Sequence, residues 1–210
     1  MIKEDMLRFA RRAVPALGFL LAAASAQVIE FESGGLRYQT LSKNGVTVMY
    51  AHLPSQVRDY AIVQVAVANG ATGPCLVRPE DFAFHREGGH AVRAAPAEKV
   101  VNEFLERASR DDVIKLVATY EIGLYGIGRI RSTNGYEKRR QAAVAELGSA
   151  KLKAAAAASA IALIETKLKP GESTDGAIFF PASGRPLTGL RLAVTVAGQR
   201  FEFEPEGEAQ

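Results

Sequence analysis

Few residues in this 210-residue chain are spaced for chemistry. His85, Glu87 and His90 come nearest to a metal set, since imidazole nitrogens and a carboxylate bind well when they converge at fixed distances. Their spacing fits neither helical zinc-protease pattern, and Gly88-Gly89 between them marks a hairpin tip. Zinc or copper binding here requires His52 or Asp81 to join in space. Arg129, Arg131, Lys138, Arg139 and Arg140 place five cations within 12 residues, a patch suited to lipopolysaccharide or an anionic cell-wall polymer. A solvated face is the alternative. Arg139 and Arg140 sit near the start of a helix, where the dipole disfavours cations, so helix stability alone does not account for them.

Other constellations carry less. Gly123, Gly126 and Gly128 evoke a phosphate loop, but they end a helix instead of opening one, and close packing with a turn explains them. Tyr120, Tyr125 and Tyr136 could stack on a ligand, yet they suit helix contacts. Ser173-Thr174-Asp175-Gly176 reads as turn chemistry. Glu103, Glu106 and Glu121 would matter to an enzyme only if they met a histidine in one cleft. With three histidines and no nucleophile elbow, no catalytic residue and no cofactor is assigned.

The first 26 residues carry an address. Lys3, Arg8, Arg11 and Arg12 precede an apolar run from Ala13 to Ala24, and Ala24-Ser25-Ala26 offers small residues to a signal peptidase. This layout predicts a secretory leader cleaved before Gln27. The run is short of the roughly 20 apolar residues of a membrane span. Arg11-Arg12 admits twin-arginine export, although its flanks match that signal poorly. The leader holds four of the 26 basic and two of the 23 acidic residues, leaving 22 against 21. A formal charge of +3 therefore shrinks to about +1, which argues against nucleic acid as a partner. Cys75, the one cysteine, rules out an internal disulfide and suits a small buried residue at a strand start. An intermolecular disulfide or a reactive thiol is its other reading.

Hydropathy periodicity divides residues 27–210. Strands are expected at Leu36–Leu41, Val46–Leu53, Tyr60–Ala68, Cys75–Arg78 and Asp81–His85, with Asn44-Gly45 turning the first hairpin. Tyr60–Ala68 is apolar on both faces and reads as a central strand. Helical spacing takes over from Pro96. One stripe runs through Val100, Phe104 and Ala108, and a capping box begins at Ser109. A long third helix is expected from Tyr136 to Lys167. Its seam of Ala143, Leu147, Ala150, Ala154, Ala157, Ile161, Ile164 and Leu168 would pack against the two preceding helices. Strands return at Ala177–Phe180, Leu190–Ala197 and Arg200–Glu204, with Gly198-Gln199 as the last turn. Strands on both sides of a helical block imply an α+β protein, an antiparallel β-sandwich whose sequence is interrupted. The expected divisions are a leader at 1–26, sandwich at 27–95, helical insertion at 96–169, sandwich at 170–204 and a disordered tail at 205–210.

Three segments carry a resemblance: Asn69-Gly70 after the long apolar strand, Arg78-Pro79-Glu80-Asp81-Phe82-Ala83-Phe84, and Leu168-Lys169-Pro170-Gly171-Glu172-Ser173 leading into Gly176-Ala177-Ile178-Phe179-Phe180-Pro181. Together they resemble exported bacterial immunoglobulin-like domains over roughly residues 45–93 and 168–204. The resemblance implies an immunoglobulin-like sandwich and brings no catalytic residue. The expectation is an exported, non-enzymatic interaction or structural module in the periplasm or outside the cell. Its helical arm would bind an envelope protein, an anionic polymer or lipid, or a second copy. A periplasmic metal- or anion-binding protein is the alternative.

Overall fold

A computed structural model describes residues 27–54, 56–86, 88–116, 118, 135–145, 148–182, 186–187 and 189–205. Residues 1–26 and 206–210 lie outside that range. The fold is mixed α+β with mostly antiparallel sheets. One sheet has five strands in the order β1 (Ile29–Ser33), β2 (Leu36–Lys43), β3 (Val46–His52), β4 (Tyr60–Asn69) and β9 (Ser173–Pro181). A second sheet runs β11 (Gln199–Phe203), β10 (Arg191–Val196), β6 (Phe82–His85) and β7 (Val92–Arg93). A small pair joins β5 (Cys75–Val77) to β8 (Thr166–Leu168).

Alternation along β4 decides the layering. Val63, Val65 and Val67 enter one apolar core with Phe82, Phe84, Leu192, Phe201 and Phe203 of the four-stranded sheet. Ile62 lies in the other core, on the opposite face of the same strand. There the cover is helical: α1 (Ala97–Arg107), α2 (described over 110–116) and α4 (Ala150–Ile161) bury Val100, Phe104, Leu116 and Ala154 against Tyr38, Leu53 and Phe179. α3 (Tyr136–Ala145) packs on α4. The described helices are therefore a third layer on the sheet, not an arm standing away from it. Gln64 is fully buried on this helix-facing side of β4, and among the described residues neither of its amide atoms has a hydrogen-bond partner.

Local chemistry sets the turns. Asn44 and Gly45 adopt φ of 45° and 82°, the two left-handed residues that a tight hairpin of this hand needs. The last hairpin turns at Ala197-Gly198, one residue earlier than expected, with Ala197 at φ 52° and Val196 paired to Gln199. Ser109 and Asp112 form the reciprocal cap: the Ser109 N–H donates to Asp112 Oδ2 at 2.7 Å and the Asp112 N–H to Ser109 Oγ at 3.3 Å. Burial disfavours the Asp112 charge, but bonds from Ser109 and the Arg58 guanidinium at 3.4 Å outweigh it and hold the carboxyl below its usual range.

The long third helix is corrected. Ser149 starts a new helix, with Oγ accepting from the Leu152 N–H at 3.5 Å. That helix stops at Ile161, and Thr166–Leu168 form β8 against Cys75–Val77. Continuing the helix would forfeit the strand pairing and the full burial of Leu168, and would move Leu163, now 1% exposed, out of its core. Ile164, expected on the seam, is instead 39% exposed. The helical segment thus ends well before 169. Ser173-Thr174-Asp175-Gly176 lies inside β9; the turn is at Gly171, with φ 83°.

Both junctions of the helical segment dock on the free edge of β9. The Ala95 N–H donates to the Phe179 carbonyl at 2.7 Å on the way in, and the Leu163 N–H to the Ala177 carbonyl at 2.8 Å on the way out. The crossing is so close that a Cβ on Gly176 would stand 2.6 Å from Leu163 Cα. Gly176→Val is expected to cost about 2–3 kcal/mol of unfolding free energy by urea titration. Gly73→Ala, where a Cβ meets nothing within 4 Å, is expected to stay within about 0.5 kcal/mol.

Candidate functional site

Of the basic cluster, Lys138 and Arg139 have described side chains. Arg129 and Arg131 lie outside the described residues, as does the side chain of Arg140. Lys138 is exposed. Arg139 is half-buried and its Nη1 donates to the carbonyls of Ser159 at 3.0 Å and Ala162 at 3.1 Å. These are acceptors at the C-terminal end of α4, where a cation is favoured by both the free carbonyls and the dipole. The unfavourable placement on its own helix is thus repaid on the neighbouring one. The Gly123–Gly128 segment, Tyr120, Tyr125 and Glu121 lie outside the described residues, as does the side chain of Tyr136.

His85 ends β6, His90 is exposed beyond the Gly88 turn at φ 64°, and Glu87 lies outside the described residues. His85 and His90 border different hollows, of about 560 and 570 Å³, with Arg86 on both. His52 is packed against Tyr50 at 5.7 Å and Phe84 at 5.3 Å, and burial lowers its pKa to about 4. Asp81 accepts from Arg78 Nε and Nη2, each at 3.0 Å. Among the described residues no three histidines, cysteines or acids are grouped to hold a metal. Cys75 is buried at the start of β5 as expected, and burial raises its thiol pKa. Glu103 accepts from the Tyr60 hydroxyl at 2.8 Å, tying α1 to the sheet, while Glu106 is exposed.

The sheet edges differ more sharply. β9 is sealed by backbone, as above. β11 is clipped to the β2–β3 hairpin, where Lys43 Nζ donates to the Arg200 carbonyl at 2.6 Å and Asn44 Nδ2 to Gln199 Oε1 at 3.0 Å. β7 is two residues long. β1 pairs with β2 from Ile29↔Thr40 to Ser33↔Leu36, and among the described residues nothing pairs with its outer side. Every second residue of such a strand directs its N–H and C=O outward.

Two side-chain rows accompany that edge. Ile29 and Phe31, 60% and 38% exposed, form the apolar row, and Phe31 stacks on buried Tyr38 with centroids 5.3 Å apart. Glu30 and Glu32 form the opposite row. Glu30 is positioned from the core outward: the Tyr50 hydroxyl donates to Gln39 Oε1 at 3.2 Å, and Gln39 Nε2 donates to Glu30 Oε1 at 2.8 Å. Tyr50 and Gln39 are each 1% exposed, so a buried relay orients a carboxylate on the outermost strand. β1 is absent from the strands expected above. Its signal was the Ile29-Glu30-Phe31-Glu32 alternation followed by Gly34-Gly35, both at positive φ.

Arg139→Met is expected to lower unfolding free energy by about 1 kcal/mol in urea, with Lys138→Met neutral. For His52, the unfolded chain binds a proton near pH 6.5, which the folded chain refuses until about 4. Stability is therefore complete above pH 6.5 and falls as pH drops toward 4, by up to about 3 kcal/mol. His52→Phe should flatten the slope of the urea midpoint between pH 7 and 4.5. Compared with protein-family models, curated proteins and solved structures, the chain matches none.

Proposed function

We propose that this chain is an exported, non-enzymatic interaction module of the bacterial envelope that takes a partner's extended segment as an added strand on β1. The leader-like residues 1–26 support export to the periplasm or cell surface. The two sheets sharing one core, and the helices falling between β7 and β8 in sequence, support an immunoglobulin-like sandwich with a helical insertion.

The observation that carries the reading is the contrast between edges. An unpaired edge with exposed apolar side chains is a template for another strand, which is why proteins cover or charge such edges. Here β9 and β11 are tied down, while β1 presents Ile29 and Phe31. Of the helical arm expected to bind, the described seam positions Ala154, Ala157 and Ile161 are buried in the protein itself, which makes that part of the arm less suitable.

The full chain, expressed in a bacterium with a photo-crosslinking residue at Phe31 or at Thr195, tests this. The expected result is a mature chain beginning at Gln27 in the envelope fraction and defined adducts from position 31 only. Retention of an uncleaved chain in the cytoplasm would sink the export reading. Adducts equally abundant from both positions, or none from 31, would sink the edge.

A further inference from the structure

We infer that the strand β1 accepts alternates apolar with cationic side chains, and that the edge rejects a second copy of this chain. The inference rests on strand addition at β1 and adds what selects the partner. Residues directly opposite in an antiparallel pair share a face, so an added strand meets Ile29 and Phe31 on one face and Glu30 and Glu32 on the other. Among the described residues the hydrogen-bond donor to Glu30 is the neutral Gln39, which fixes the carboxylate without cancelling its charge. Glu32 stands opposite Arg37 on β2 and is partly balanced. The acidic row therefore keeps a net negative charge centred on Glu30, at the distance where a cross-strand lysine or arginine is favourable and an acid unfavourable.

The same geometry excludes self-pairing. Two copies related by a dyad normal to the sheet must set each residue opposite one on the same face. Centred on Phe31, β1 against its copy places Glu30 opposite Glu32 twice. Centred on Glu30, it places Glu30 opposite itself. A strand of five residues has no register that continues the sheet, keeps most of its pairing and separates these acids. Isologous dimers need a self-complementary patch, and this one repels itself. The apolar row attracts, and the acidic row chooses.

Three ten-residue peptides probe the edge of the full chain after leader removal: alternating Lys/Val, Thr/Val and Glu/Val. Binding is read by fluorescence anisotropy at low and high salt, and the site by amide hydrogen exchange over residues 29–33. The Lys/Val peptide is expected to bind about tenfold tighter than Thr/Val at low salt, with Glu/Val weaker still and new protection confined to β1. Raising salt should close the gap. Glu32→Lys should narrow the preference, and Glu30→Lys with Glu32→Lys should reverse it. Equal, salt-insensitive binding of Lys/Val and Thr/Val at β1 would overturn charge selection while leaving strand addition standing. Absence of protection at β1 with every peptide would overturn both. A dimer in sedimentation at neutral pH that protects residues 29–33 would overturn rejection of the second copy.

Discussion

Strand β9 has neighbours on four sides, and the rest of the molecule depends on satisfying all of them at once. It pairs with β4 over nine residues from Ser173↔Ala68 to Pro181↔Tyr60. Ile178 and Phe180 fill the core between the sheets, and Ala177 and Phe179 fill the core under the helices. Its remaining edge accepts the backbone N–H groups of Ala95 and Leu163. A strand buried on both faces cannot leave carbonyls unpaired, so the segments entering and leaving the helical layer serve as its missing neighbour. Gly176 is the local concession that allows the backbone of Leu163 to come so near.

What was legible in the sequence was whatever depends on near neighbours. Asn44-Gly45 specifies its turn by φ alone, and Ser109 with Asp112 specifies a helix start by two reciprocal bonds. β4 could be read as central because both of its alternating faces are apolar. The segment from Tyr136 to Lys167 misled because alanine and lysine favour helix wherever they stand. The break at Ser149 and the strand at Thr166 arise from partners far away: Cys75–Val77 for pairing and β9 for docking. Tertiary burial of Leu163 and Leu168 overrides local preference there. Ile29–Ser33 gives a weak strand signal because its alternate acids hide a strand that is half solvated.

The candidate site divides the same way. Five cations close in sequence suggested a patch, yet Arg139 is spent on the carbonyls ending α4, a partner about 20 residues along that helical spacing could not reveal. The Glu30 carboxylate at the open edge is placed by Tyr50 and Gln39, on two other strands. Side chains of ordinary type became a directed array only through register. Asn69 is a similar case: its amide bonds the Gly73 and Leu168 carbonyls at 2.9 and 3.1 Å and so fixes the small β5–β8 pair beside the main sheet.

The pairing of β4 with β9 also sets a timetable. A chain made from its N-terminus completes β1 to β4 by Asn69, yet the strand that covers the far side of β4 begins at Ser173, more than a hundred residues later. Closing so long a loop is slow because its entropy must be lost before the contacts that reward it exist. Until then β4 is an unfinished edge with valines on one face, and the helices cannot seat because their docking carbonyls have not arrived. The nascent protein is therefore most adhesive in the interval before its last fifth emerges, and whatever handles the chain during that interval meets the unfinished edge of β4 as well as that of β1.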